Sequence, residues 1–349
     1  MPTKSETIRP INLALQGGGA HGAVTWGVID RLLEEESLAI EAISGASAGA
    51  VNAAALAYGL HLDGAHGAKK KLEELWRRIS EAGAIFSPVQ YNRAEAFVPP
   101  GLSLDYSPAY QWFEFVTRTF SPYQFNPFDI NPLKDILQEC IDFDALACCT
   151  ATQLFLSATN VRTGKVHVFE TREASLDVVL ASACLPFVFK AVEINGEHYW
   201  DGGYMGNPVL FPFFYQAESR DVVIVHVNPI EREEVPKTAP DIMNRINEIS
   251  FNSSLLRELR AVHFVQRLLD QNWLKDEYRD RLKNIRIHSI RSDNALQDLS
   301  VASKFATDWK FLTRLRDEGR GIAEGWLDEN CDKVGAMSSV DLRAMFDGT

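Results

Sequence analysis

Two stretches decide the fold: Ile11-Asn12-Leu13-Ala14-Leu15-Gln16-Gly17-Gly18-Gly19-Ala20-His21-Gly22, and then Ile40-Glu41-Ala42-Ile43-Ser44-Gly45-Ala46-Ser47-Ala48-Gly49. Each is a short apolar run that ends in glycine and opens a helix-patterned segment. Ile11–Gln16 stops at three glycines, which mark a tight turn. Val24, Val28, Leu32 and Leu33 then recur at helical spacing as far as Glu34-Glu35-Glu36. Ile40–Ser44 leads into Gly45–Gly49, and the spacing predicts an Ala-rich helix over about Ala50–Tyr58. A β–α–β–α alternation belongs to a parallel sheet covered by helices, so the expected class is α/β.

Outward from this unit, Ala42–Leu62 is uncharged over a membrane-spanning length. Gly45, Ser47, Gly49, Asn52 and Gly59 make it too small and polar for a span. From Phe86 to Pro132 the character changes. Seven of the 15 prolines fall here, among many aromatics that include Tyr91, Tyr110, Trp112, Phe113 and Phe115. Prolines break regular elements and aromatics need burial. The segment reads as an irregular excursion with its own satellite core, or as a cap over an apolar substrate. Alternation resumes with strand-like Leu154–Ala158 and Lys165–Phe169, a short helix over Ser175–Ala183, and a hairpin turning at Asn195-Gly196. Val222–Val227 is a buried-type strand, Asp241–Lys283 is helix-patterned, Ile285–Ile290 suits a last strand, and Ser303–Trp326 suits a helix or helix pair.

Composition bounds the function. The chain has 349 residues, 46% hydrophobic, enough for a core without staples. Its net charge of −12 disfavours phosphate backbones, so no nucleic-acid partner is expected. Five cysteines with no pairing pattern suggest a reducing compartment, and no metal-ligand spacing occurs. Ile11–Leu15 is too short for a signal-peptide core, and a cytoplasmic protein is the expectation.

Three motifs carry chemistry. Gly17–Gly22 fits G-x-G-x-x-G between strand and helix, which admits a nucleotide-binding oxidoreductase. Glu41, the acidic residue at about the right spacing, sits at the wrong end of its strand for a ribose. More generally, such glycines aim backbone N–H groups at a phosphate or an oxyanion. Gly45-Ala46-Ser47-Ala48-Gly49 is G-x-S-x-G between strand and helix, the context of a nucleophilic serine on a cramped elbow. No downstream histidine occupies an obvious base position. Asp201-Gly202-Gly203, directly after a strand, is better placed, since a desolvated carboxylate can act as general base; an ordinary Asp-Gly turn is the competing reading.

In combination these motifs resemble the patatin-like phospholipase family. Ala181-Ser182-Ala183-Cys184-Leu185-Pro186 and Gly206-Asn207-Pro208 extend the match, which runs from about Ile11 to Asn228. The resemblance implies a three-layer α/β/α fold with a mostly parallel sheet. It also implies lipid acyl-ester hydrolysis of the phospholipase A or lysophospholipase kind, without a catalytic histidine. Mapped onto this sequence, Ser47 is the nucleophile, Asp201 the base, and the N–H groups of Gly17, Gly18 and Gly19 the oxyanion hole, with Gly45 and Gly49 flanking the elbow. No cofactor is implied. His21 stands where the family often has Arg. Residues 1–230 would form the catalytic domain, 85–132 a cap or acyl-binding insertion, and 231–349 a mainly helical extension packed on the same domain. A lipid ester is the expected partner, with transient contact at a membrane surface. A non-catalytic lipid-binding member of the fold is the remaining alternative.

Overall fold

The structure, a computed structural model, describes residues 8–89, 104–279, 281–297 and 299–346. The two opening stretches become adjacent parallel strands, β1 (Arg9–Leu15) and β2 (Leu38–Gly45), joined by helix α1 (Gly22–Leu32). Helix α2 (Ala48–Phe86) runs far beyond the expected Ala50–Tyr58 and is broken at Asp63-Gly64. Its charged second half stays helical because Leu72, Leu75 and Trp76 return to the core at helical spacing.

In the segment 86–132 Pro108, Pro122 and Pro132 start helices where breaks were expected. Pro108 and Pro132 open α3 (Pro108–Thr119) and α4 (Pro132–Cys140), where the missing N–H has no intrahelical partner to lose. Residues 90–103 of the expected cap lie outside the described residues.

There follow β3 (Gln153–Asn160), β4 (Val166–Glu170), α5 (Leu176–Ser182), β5 (Val192–Ile194), β6 (Glu197–Asp201) and β7 (Asp221–His226). The chain closes with α6 (Ala239–Asp270), β8 (Arg286–Arg291) and α7 (Trp309–Asn330). The β5–β6 hairpin turns at Asn195-Gly196, both at positive φ. The strands form one sheet in the order β5-β6-β3-β2-β1-β7-β8, with β4 paired to β3. The β3-β2-β1-β7-β8 portion is parallel, and β4, β5 and β6 pair antiparallel.

Alternate residues of the central strands feed two cores. Leu13, Leu15, Ile43, Val223 and Val225 meet α1, α2 and α7. Ala14, Ala42, Val222 and Ile224 meet Leu255, Leu259 and Val262 of α6. This is a three-layer α/β/α arrangement. The C-terminal third supplies helices to both faces and the edge strand β8. At the start of β7, buried Asp221 accepts hydrogen bonds from Arg286 (2.6 and 2.9 Å), His288 (2.9 Å) and the Gly335 N–H (2.9 Å). Among the described residues no helix is long and apolar enough to cross a membrane.

Candidate active site

The register of β3 assembles the site. Gly45, the last residue of β2, pairs with Leu156, and Asp201, the last residue of β6, pairs with Ala158. β4 pairs along Phe155–Thr159, overlapping both positions, so β2 and β6 share the opposite edge of β3. β2 runs parallel to β3 and β6 antiparallel, so their carboxyl ends meet head to head. Two residues of β3 separate them, about 7 Å.

Ser47 turns the chain from β2 into α2 with φ +55° and ψ −127°, a conformation that is rare outside glycine. Its N–H donates to both the carbonyl and the hydroxyl of Ser182 (3.1 Å each), and the Ser182 hydroxyl donates to the Ser157 carbonyl (2.7 Å). The elbow tolerates no larger flank: a Cβ on Gly49 would lie 2.1 Å from the Leu15 carbonyl oxygen. Gly45 is crowded too, its Cβ position 2.6 Å from the Gly49 carbonyl oxygen. A Cβ on Gly17 would lie 2.5 Å from Cβ of Ser47, so the glycine loop touches the serine.

Asp201 has no solvent exposure. Its Oδ1 accepts the Gly203 N–H at 2.7 Å, and its Oδ2 is buried without a hydrogen-bond partner. Burial pushes its pKa up to about 6, against the opposing pull of the Ser47 hydroxyl and the Gly203 N–H. The Ser47 hydroxyl therefore faces this carboxyl, in a contact looser than a hydrogen bond. Such contacts commonly tighten when substrate binds.

Of the three glycine N–H groups expected at the oxyanion hole, that of Gly17 is already committed, donating to Asn207 Oδ1 at 2.7 Å. The N–H groups of Gly18 and Gly19 have no acceptor among the described residues and lie just ahead of the α1 N-terminus. A set of buried amides fixes the loop. Asn228 Nδ2 donates to the Gly17 carbonyl (2.7 Å), Gln16 Oε1 accepts from Val227 and Asn228 N–H, and Gln16 Nε2 donates to Asn252 (3.0 Å). Sequence reading missed Gln16, Asn228 and Asn252. Gln16 and Asn228 each stand at the end of an apolar strand, a signal that was open to use.

The other candidates are spent elsewhere. His21 is buried and bonded to the Ser303 hydroxyl (2.7 Å); burial, then Lys304, hold its pKa well below the usual imidazole range. His226 bonds Ser289, and burial lowers it to about 3. His288 belongs to the Asp221 cluster. Among the described residues no histidine bonds Ser47. Glu41 accepts the backbone N–H groups of Glu218 (2.5 Å) and Ser219 (2.9 Å), which ties β2 to the turn before β7.

The sequence model of Patatin-like phospholipase matches residues 13–214, a span that contains the glycine loop, Ser47 and Asp201. The chain belongs to the patatin-like phospholipase family. Membership supports lipid-ester hydrolysis as its activity. No curated protein matches the sequence. Among solved structures, VipD from Legionella pneumophila is similar at 16% identity and a TM-score of 0.43, over 92% of this chain and 67% of that one. The complex of full-length SpcU with full-length ExoU, from the type III secretion system of Pseudomonas aeruginosa, is similar at 15% identity and a TM-score of 0.30. That match takes in 92% of this chain, which spans about half (53%) of the other.

Proposed function

We propose that this patatin-like protein hydrolyses acyl esters of lipids through Ser47 as nucleophile and Asp201 as general base. The observation that carries the reading is the meeting of β2 and β6 on one edge of β3, which sets a strained serine against a buried, partnerless carboxylate oxygen. Asp201 Oδ2 takes the hydroxyl proton as Ser47 Oγ bonds the ester carbonyl carbon. Negative charge moves to the carbonyl oxygen, where the Gly18 and Gly19 N–H groups are free to receive it; one such donor is worth about 2.7–4 kcal/mol of barrier. Collapse breaks the ester C–O bond, and the leaving alkoxide takes the proton from Asp201. Water then repeats the sequence on the acyl-enzyme, releasing a fatty acid and restoring Ser47.

In this reading residues 1–230 carry the reaction and 231–349 are a mainly helical extension that completes the sheet. The exposed Trp112 and Phe115 of α3, in the 85–132 insertion, suit acyl chains or a lipid surface. The test is hydrolysis of a series of acyl esters by the native protein, Ser47→Ala and Asp201→Asn. Each variant is expected to lose at least about a thousandfold in kcat, and a fluorophosphonate probe is expected to label Ser47. Wild-type rates in both variants would end the proposal; an active Asp201→Asn beside a dead histidine variant would replace the dyad with a triad.

A further inference from the structure

The turn Ala302–Phe305, far outside the family match, backs directly onto the glycine loop. Ser303 holds His21, and a Cβ on Gly19 would lie 2.5 Å from the Lys304 carbonyl oxygen. The Lys304 side chain is largely buried and continues past the loop. Its Nζ donates to Asn228 Oδ1 (2.9 Å), and the same Asn228 side chain holds the Gly17 carbonyl. Nζ also lies 5.9 Å from the centre of the Phe251 ring. That ring packs against Gly203, two residues after Asp201, and lies tilted against Tyr204, ring centres 5.6 Å apart.

Among the described residues this ammonium has no carboxylate within ion-pair distance. Glu248, the acid whose charge acts on it, is already paired with Arg232 (2.5 Å) and Arg245 (3.1 Å). Asn228 and the Phe251 ring are neutral, and so is His21. A lysine ammonium has three N–H bonds to give, and one is accounted for. Burial lowers its pKa to about 8, so the charge persists at neutral pH. A desolvated cation without a counter-ion is costly, and an anion that binds beside it removes that cost.

The strand order fixes its direction from the reacting atoms. Asp201 ends β6, Ser47 follows β2, Gly17 follows β1 and Asn228 follows β7. Lys304, held on Asn228, therefore lies beyond the glycine loop from Ser47, with the Phe251 ring between its ammonium and Gly203. Resting on the Ser47–Asp201 reading, we propose that Lys304 binds the phosphodiester of a glycerophospholipid or lysophospholipid whose acyl ester lies at Ser47. It makes the site selective for phosphate-bearing lipid esters over neutral glycerides.

Two measurements test this. In mixed micelles of an uncharged detergent, Lys304→Met is compared with the native protein on a lysophosphatidylcholine and on the monoacylglycerol of the same acyl chain. The expected loss in kcat/KM is at least tenfold greater on the lysophospholipid, mainly through KM, and Lys304→Arg recovers most of it. Equal losses on both substrates would make Lys304 a support for the loop and overturn the proposal, as would no loss. The second measurement does not depend on turnover: an alkylphosphocholine ether is expected to bind the native protein at least tenfold tighter than Lys304→Met. An uncharged alkylglycerol ether should show no such difference. Competition by inorganic phosphate as effective as that of the phosphocholine ether would assign the site to free phosphate and overturn the lipid assignment. Failure of the hydrolytic reading itself shows separately, as unchanged hydrolysis by Ser47→Ala.

Discussion

An ionised carboxylate with no exposure and one unsatisfied oxygen is costly to keep, and in the proposed mechanism Asp201 carries that cost as the general base. Its pKa is about 6 in the folded protein against 3.8 for an ordinary aspartate. The base must be deprotonated to work, so kcat/KM is expected to rise with pH through about 6 and then level off. Stability moves the other way. The folded state binds the proton more tightly than the unfolded chain, so the full contribution is present below about pH 4 and is lost as pH rises through 6. Asp201→Asn should therefore be inactive yet more stable than the native protein at pH 8, by about 1–3 kcal/mol, with the gain fading towards pH 4. Urea unfolding at the two pH values checks this; an equally stable or weaker variant at pH 8 would contradict the burial argument.

At the scale of elements, turn chemistry was the most legible part of the sequence. The strand–glycine–helix units at Gly17–Gly22 and Gly45–Gly49 and the Asn195-Gly196 hairpin all form where local rules place them. Length was less legible, because tertiary packing decides it. The second half of α2 reads as polar and charged, and it is held by Leu72, Leu75 and Trp76 reaching a core built from distant strands. Prolines misled for a related reason: at Pro108 and Pro132 they sit at the first helical position, where only the following residues show whether a helix continues. At the site, the motif residues were visible, but the amides of Gln16, Asn207, Asn228 and Asn252 converge from four parts of the chain. Their partnership needs the sheet order. The elbow yields a paired prediction. Gly49→Ala forces a methyl to within 2.1 Å of the Leu15 carbonyl and should destabilise by several kcal/mol or prevent folding. Gly321→Ala, on an exposed turn of α7 with nothing near the new methyl, should stabilise by about 0.5–1 kcal/mol. Thermal unfolding of the two variants separates crowding from glycine replacement in general.

At the scale of the molecule, the C-terminal third is woven into the sheet. Without it β7, apolar on both faces, becomes an open edge, α6 leaves one core and α7 the other, and Asp221 loses Arg286, His288 and Gly335. A chain ending at residue 230 is therefore expected to aggregate or stay unfolded, as circular dichroism and limited proteolysis would show. A folded, esterase-active 1–230 fragment would mean the extension is dispensable. The shared edge of β3 also bears on how the protein is born. Synthesis proceeds from the amino terminus, so Ser47 leaves the ribosome well before the β6 carboxylate exists. In the proposed mechanism the nascent polypeptide until then holds a nucleophile with nothing to take its proton. On the proposed Ser47–Asp201 mechanism, attack on lipid begins only once the last strand to dock on that edge has left the exit tunnel.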